Sequence, residues 1–337
     1  MPRAGYALLL AIVAACASDS TTASSPPPAS PRDGLWTASA GPSAILRLDS
    51  IPVSDTGVVD PVTTITTASA WLYPRVAVAF DAAGDLWVAS QGDSSLLAFA
   101  PTDLDGSGSR VAAKVISSIG GSLSAPTSLA FDLRHRLWVV NAHSATVVRF
   151  DPAQLAAGGV QVPAVVLSLP GTPATIAFDA AGALWVGDPE FNTIARFAAS
   201  QLEASGSPPP VFRLTSADSL RNPSGMAFDA AGNLWIANTG GHNLLAFSPA
   251  QLAGTGSAGP PIMIGSNGGS LNNPVGLAFD AEGDLWVVGR TGTLARIAGT
   301  SLGVTGTPAP SALLQINGHS LFWSLAFWPR PAGLPLN

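Results

Sequence analysis

From Gly34 to Trp328 the apolar positions fall in short runs and not in the long one-sided stripes of amphipathic helices. Runs such as Gly276-Leu277-Ala278-Phe279 and Leu285-Trp286-Val287-Val288 are separated by Gly, Asn, Asp and Pro. Runs of this length bounded by turn residues predict short β-strands. Neighbouring positions within a run are apolar alike, so both faces of each strand need cover. Each sheet is therefore expected to lie between two others.

The runs repeat in phase. The dipeptide Leu-Trp places Trp36, Trp87, Trp138, Trp185, Trp235 and Trp286 at spacings of 51, 51, 47, 50 and 51 residues. A second anchor, an apolar residue followed by Ala-Phe-Asp, ends at Asp81, Asp132, Asp179, Asp229 and Asp280. A sixth copy, Leu325-Ala326-Phe327, carries Trp328 where the aspartate is expected. Each unit reads as four strands: the Ala-Phe run, the Leu-Trp run, a third such as Thr146 to Phe150, and an apolar piece such as Pro260 to Ser266. Four strands at a period near 50 residues predict an all-β, six-bladed β-propeller.

The turn between the first two strands can be specified further. Three residues separate Asp280 from Asp284, which fits a type I turn followed by a left-handed residue. Gly84, Gly182, Gly232 and Gly283 supply that residue, and His135 stands there in the second complete copy. Histidine visits this region more readily than most side chains, so His135 is assigned a backbone role. The loop length sets Phe279 against Leu285 and Ala278 against Trp286, the small alanine making room for the indole. The aspartate is expected to make an Asx-type bond inside the turn. Recurring inserts, at Asp151-Gly159, Ala199-Ser207 and Ser248-Ser257, are expected to form short helical turns.

The ends of the chain complement each other. Trp36 has no Ala-Phe-Asp strand before it, and Phe327 has no Leu-Trp strand after it. The strand around Phe327 is therefore expected beside the strand around Trp36, closing the ring and leaving no inner edge unpaired.

Composition adds a location. Residues 1–15 have one early positive residue, Arg3, and an apolar run too short to span a bilayer, the plan of a secretion signal. Val13-Ala14-Ala15-Cys16 resembles a bacterial lipobox, with Cys16 as the lipidated residue, although cleavage after Ala17 also fits a small-x-small site. Cys16 is the only cysteine, which excludes an internal disulfide. Residues 16–32 read as a Ser/Thr/Pro-rich tether and 33–337 as the propeller. Ala17 after the cysteine favours the outer membrane or cell surface of a bacterial envelope over inner-membrane retention. With a net charge of -6 and a pI near 5.0, nucleic acid is not an expected partner.

Asn222-Pro223, Gly225, Ala227, Asp229, the stretch Gly232 to Gly240 and His242 together resemble the NHL repeat. The likeness runs from Gly34 onward, with departures at Asn238, where that family has aspartate, and Asn243, where it has arginine. It implies six blades and little about activity, because such propellers serve as binding platforms and also host lactonases and lyases. The stretch Gly182 to Phe197 is also similar to streptogramin lyases, a family with seven blades.

The loops between strands two and three and the loops between blades are where such propellers hold ligands. Here they gather Asn141, His143, Asp188, Glu190, Asn192, Asn238, His242, Arg290 and His319, with Trp71, Tyr73, Arg75 and Trp323 between blades. The resemblance to gluconolactonases implies a divalent cation such as calcium, for which Glu190, Asp188, Asn141 and Asn238 are the candidates. A general-base role for His143 or His242 needs a carboxylate partner that the sequence does not place. His242 stands where the NHL pattern has histidine and is read as structural, whereas His319 lies outside that pattern. The expectation is a monomeric, lipid-anchored binding scaffold for a protein, peptide or saccharide, with no cofactor and no catalysis. The alternative is a metal-dependent lactonase, hydrolase or lyase.

Overall fold

In the computed structural model each repeat begins with a tightly pinned hairpin. The structure describes residues 33–49, 56–67, 72, 75–215, 219–253, 262–267, 269–329 and 331. Cys16, the tether, Trp71 and Tyr73 lie outside them. Phe279 pairs with Leu285 and Ala278 with Trp286, the expected register. The Asp280 amide donates to the Asp284 carbonyl at 3.0 Å, and Gly283 closes the turn at φ 84°. His135 takes the same left-handed place at φ 58°.

The aspartate does more than the expected turn bond. Oδ1 of Asp280 accepts from the amides of Glu282 and Asp284, while Oδ2 accepts from the indole Nε1 of Trp286 at 2.8 Å. The same bond joins Asp81 to Trp87 at 3.0 Å, Asp132 to Trp138 at 2.9 Å, Asp179 to Trp185 at 2.9 Å and Asp229 to Trp235 at 3.0 Å. Burying an indole without a partner for its N–H would cost on the order of 1–3 kcal/mol, so one carboxylate both shapes the turn and licenses the burial. These five carboxylates each serve their own blade.

The strands form six sheets, each a blade of four or five strands. The first is completed by the chain's end: Ser320–Trp328 pairs with Gly34–Gly41, with Phe327 opposite Leu35 and Ala326 opposite Trp36. The ring closes as expected. Trp328, standing where the other copies have aspartate, lies against Phe80 of the second blade, ring centres 5.1 Å apart.

Packing between blades repeats as well. The indole of one blade meets the phenyl ring of the next: Trp36 with Phe80 at 6.0 Å, Trp138 with Phe178 at 6.1 Å, Trp185 with Phe228 at 5.8 Å, Trp235 with Phe279 at 6.2 Å and Trp286 with Phe327 at 6.4 Å. The core is thus a ring of interblade layers. At about 2–3 kcal/mol for each buried aromatic side chain, these layers supply much of the attraction between blades. Opposite Trp138, Trp185 and Trp286 in the third strand stand Arg149, Arg196 and Arg296, each with its guanidinium over the indole. The second blade has Ala98 there, and Lys114 from the fourth strand takes over, 6.0 Å from the Trp87 ring centre.

The inserts go beyond the expected helical turn. Pro152–Ala157 and Pro249–Ala253 are short helices, and Ala199–Leu202 is a 3-10 turn. After the turns at Pro101–Asp103 and Pro152–Ala157 the chain crosses back to the preceding blade and pairs in parallel with its outer strand: Gly108–Arg110 joins Thr63–Thr67 and Gly159–Gln161 joins Lys114–Ser118. Thr56–Val59 pairs in parallel with Ala312–Ile316 in the same way. Gly206 and Gly306 make the same contact as single bridges to Leu167 and Ile264. Just before the crossing, the hydroxyls of Ser107, Ser205 and Thr305 accept from the amides of Thr64, Val166 and Met263 at 3.0, 3.0 and 3.1 Å. Four strands per blade therefore become five in three sheets, because the insert covers an outer edge that would otherwise be open.

Ring closure makes the two chain ends interdependent. Deleting Ser320 to Asn337 is expected to abolish cooperative unfolding in a urea titration; a truncated chain that melts like the full one would refute the closure.

Candidate functional site

The innermost strands of all six blades line the axis, among them Val78, Ser128, Ile176, Gly225, Gly276 and Ser324. The space they enclose is only about 60 Å³, room for a water or two at roughly 30 Å³ each. Gly225 and Gly276 explain the narrowness. A Cβ on either would collide with backbone of the following blade, at the Val275 and Trp323 carbonyls respectively. Both follow a proline by two residues, and the ladder slips there, between Pro223 and Gly225 and between Pro274 and Gly276. Hydroxyls stitch the inner strands together, Ser128 Oγ accepting from Ile176 N at 3.2 Å and Thr127 Oγ1 donating to the Ala174 carbonyl at 3.1 Å. A ligand body does not fit inside a space of that volume.

At the mouth, three of the candidate residues do one job. Asn141, Asp188 and Asn238 each end the second strand of their blade, at 0%, 6% and 0% exposure. Asn141 Oδ1 accepts from Ser124 N at 3.1 Å while its Nδ2 donates to the Ser122 carbonyl at 2.9 Å. Asn238 Oδ1 accepts from Arg221 N at 2.5 Å, and Nδ2 donates to the Ser219 carbonyl at 2.8 Å and to Asn243 Oδ1 at 2.6 Å. Asp188 accepts from Thr172 N, Glu190 N and Phe191 N at 3.0, 3.0 and 3.1 Å. All three pin the interblade loop beside their own turn.

A second set ties one blade to the next. Ser94, Asn192 and His242 share a left-handed backbone, at φ 50°, 51° and 51°. Their side chains accept from the amides of Ala125, Asn222 and Asn273, at 3.1, 2.6 and 3.2 Å. For His242 the acceptor is Nδ1. His143 is exposed, and its amide donates to the Ser124 carbonyl at 3.4 Å. Glu190 is exposed, with Oε2 accepting from Thr172 Oγ1 at 3.0 Å.

The geometry brings Asp188 and Glu190 together over Thr172, whereas Asn141 and Asn238 each stay with their own loop. This set fits a divalent cation poorly. The Oδ1 atoms of Asn141, Asp188 and Asn238 already accept from backbone amides that a cation would leave unsatisfied.

Arg290 lies elsewhere in energetic character. Its guanidinium sits over the Trp323 ring, 4.7 Å from the centre, and that of Arg75 sits over the same ring at 4.2 Å. Burial, and then the nearby Arg290 charge, hold Arg75 below the usual arginine range. Individual residues of this cluster were legible as loop positions, but their meeting joins three blades and is not a feature of local sequence. His319 lies on the interblade loop before Ser320, its Nδ1 buried without a hydrogen-bond partner among the described residues. Burial pushes its pKa down, partly opposed by a hydrogen bond to the Pro42 backbone.

The opposite face carries a cleft that sequence reasoning missed, about 420 Å³, between the fourth and fifth blades. Trp185, Arg196, Phe228, Pro249 and Leu252 line it, and the hairpin tips there carry only alanine and glycine, including Ala180, Ala181, Ala230, Ala231 and Gly232. Small tips leave the room.

These features define a six-bladed β-propeller closed by its own chain ends, with a rigid loop face around a narrow axis. No protein-family profile and no characterised protein sequence matches the chain. Solved structures do. A chain of the nidogen/laminin complex superposes with a TM-score of 0.58 at 14% identity, covering 87% of this chain and 97% of that one. A protein of unknown function from Bacteroides caccae gives 0.58 at 12%, covering 88% and 98%. Virginiamycin B lyase from Staphylococcus aureus gives 0.51 at 13%, covering 79% and 81%. At these identities the likeness shows the fold alone.

His319 supplies a pH test. Its folded pKa is lowered, so the unfolded chain binds the proton more tightly. Its contribution is complete above about pH 6.5, the usual histidine value, and is lost as pH falls toward the folded value. The melting temperature should fall between pH 7 and pH 5 more steeply in the parent than in His319→Asn. Parallel curves would contradict the assignment.

Proposed function

We propose that this chain is a lipid-anchored, extracytoplasmic scaffold that binds a ligand at the channel-mouth face and does no chemistry on it. The observation that carries this reading is the commitment of Asn141, Asp188 and Asn238 to backbone groups of their own loops. Their amides and carboxylate make a stiff rim and leave few polar groups to act on a substrate. A stiff, preformed rim suits recognition, because little order has to be imposed when a ligand arrives. Cys16 and the tether after it would hold the propeller off a membrane surface, facing outward.

A metal-dependent hydrolase or lyase is the second reading, favoured by the meeting of Asp188 and Glu190 over the Thr172 hydroxyl. The likeness to a lyase supports it in fold only.

Two measurements test the proposal. Replacing Cys16 with Ala should move the protein from the membrane pellet to the soluble extracytoplasmic fraction; unchanged pelleting would exclude the anchor. Millimolar calcium or zinc should leave the melting temperature unchanged. A rise of several degrees that Glu190→Gln removes would favour the hydrolase, since a ligand bound only by the folded state raises stability by mass action.

A further inference from the structure

We propose that Arg75, Arg290 and Trp323 form an oxyanion-binding site at the channel mouth, taking a carboxylate, sulfate or phosphate group pendant on the ligand. This deepens the reading above and rests on it.

The argument is a contrast within the molecule. Arg149, Arg196 and Arg296 also lie over indoles, at 5.8, 5.5 and 5.3 Å from the ring centres. Each of those has a carboxylate within reach: Asp151 at 2.9 Å, Asp179 at 3.5 Å and Asp280 at 3.0 Å. Arg75 and Arg290 use the same stacking on Trp323, more closely, and among the described residues no carboxylate pairs with either. Two like charges share one ring, and Arg75 is half-buried. Elsewhere the protein pairs such guanidiniums with its own carboxylates; here an anion on the ligand can take that place.

Geometry supports the same conclusion. Arg75 immediately precedes the inner strand Val76–Phe80 of the second blade, and its carbonyl accepts from Gln91 N at 3.4 Å. Arg290 follows the second strand of the sixth blade, its carbonyl accepting from Leu321 N at 3.1 Å. Trp323 belongs to the closing strand between them and lines the channel. Three adjacent blades thus converge, and ring closure itself delivers the aromatic platform. Backbone bonds fix the main chain at both arginines, and stacking on Trp323 holds the two guanidiniums over one ring. A guanidinium presents donors in a planar fork that matches an oxyanion, and stacking on an indole leaves those edges open. Because the channel holds only about 60 Å³, the rest of the ligand stays outside, on the loops. The chain as a whole carries -6, so attraction is local and should weaken with salt.

The test uses the mature chain and small probes: acetate, sulfate and inorganic phosphate, titrated calorimetrically at low ionic strength and again in 0.2 M sodium chloride. We expect saturable binding of at least one probe, weakened about tenfold or more by Arg75→Gln or by Arg290→Gln and unchanged by Arg213→Gln, a control on the outer strand Phe212–Thr215 of the fourth blade. The preferred probe identifies whether a carboxylate or a sulfate- or phosphate-type group is the natural source. Melting without any anion provides a second reading. Removing one of two crowded cations should leave the free protein as stable as the parent or more so, which also shows that the variant folds. Absence of binding by all three probes, or binding that both arginine variants retain, overturns the inference. Neither outcome touches the broader channel-mouth reading, which is judged by the calcium and zinc measurement.

Discussion

The structure depends on a carboxylate that holds an indole. In five blades an aspartate at the hairpin entry accepts two turn amides through one oxygen and the tryptophan N–H through the other. Without that second oxygen, the ring could be buried only with an unmet donor. With it, the tryptophan is buried between blades and meets the next blade's phenylalanine edge-on. Turn geometry, strand register and blade-to-blade packing are therefore set by one local constellation, repeated around the ring. The first blade shows what happens when the aspartate is absent: Trp328 takes its place and covers the neighbouring hairpin, against Phe80 and over Gly84.

Rigidity at the loop face follows from the same economy of short-range contacts. Buried amides at strand ends fix the interblade loops, and left-handed residues reach across to the following blade. Polar residues that look available along the chain are thus occupied with holding it together. Among the described residues Arg75 and Arg290, placed over Trp323 by the closing strand, pair with no carboxylate.

Much of the fold was legible in the sequence because it is written locally. The spacing of six residues from Asp229 to Trp235, the glycine at Gly232 and the short apolar runs determine hairpin and register without long-range information. The parallel straps were not legible. Gly108 and Gly159 look like loop residues until the preceding blade's outer edge is beside them. The site was legible as a face but not as a constellation. Asn141 and Asn238 have the composition of a ligand set, yet their roles depend on backbone groups of a loop nineteen or fewer residues away. Arg75 and Trp323 meet only because the ring closes.

The central claim is that equivalent modules, each pinned by its carboxylate and indole, open only as one ring. Native-state hydrogen exchange at the indole Nε1 positions of Trp87, Trp138, Trp185, Trp235 and Trp286 tests it directly. One common slow rate, matching global unfolding, is the predicted result. Indoles that exchange independently, blade by blade and far faster than the whole molecule unfolds, would contradict it.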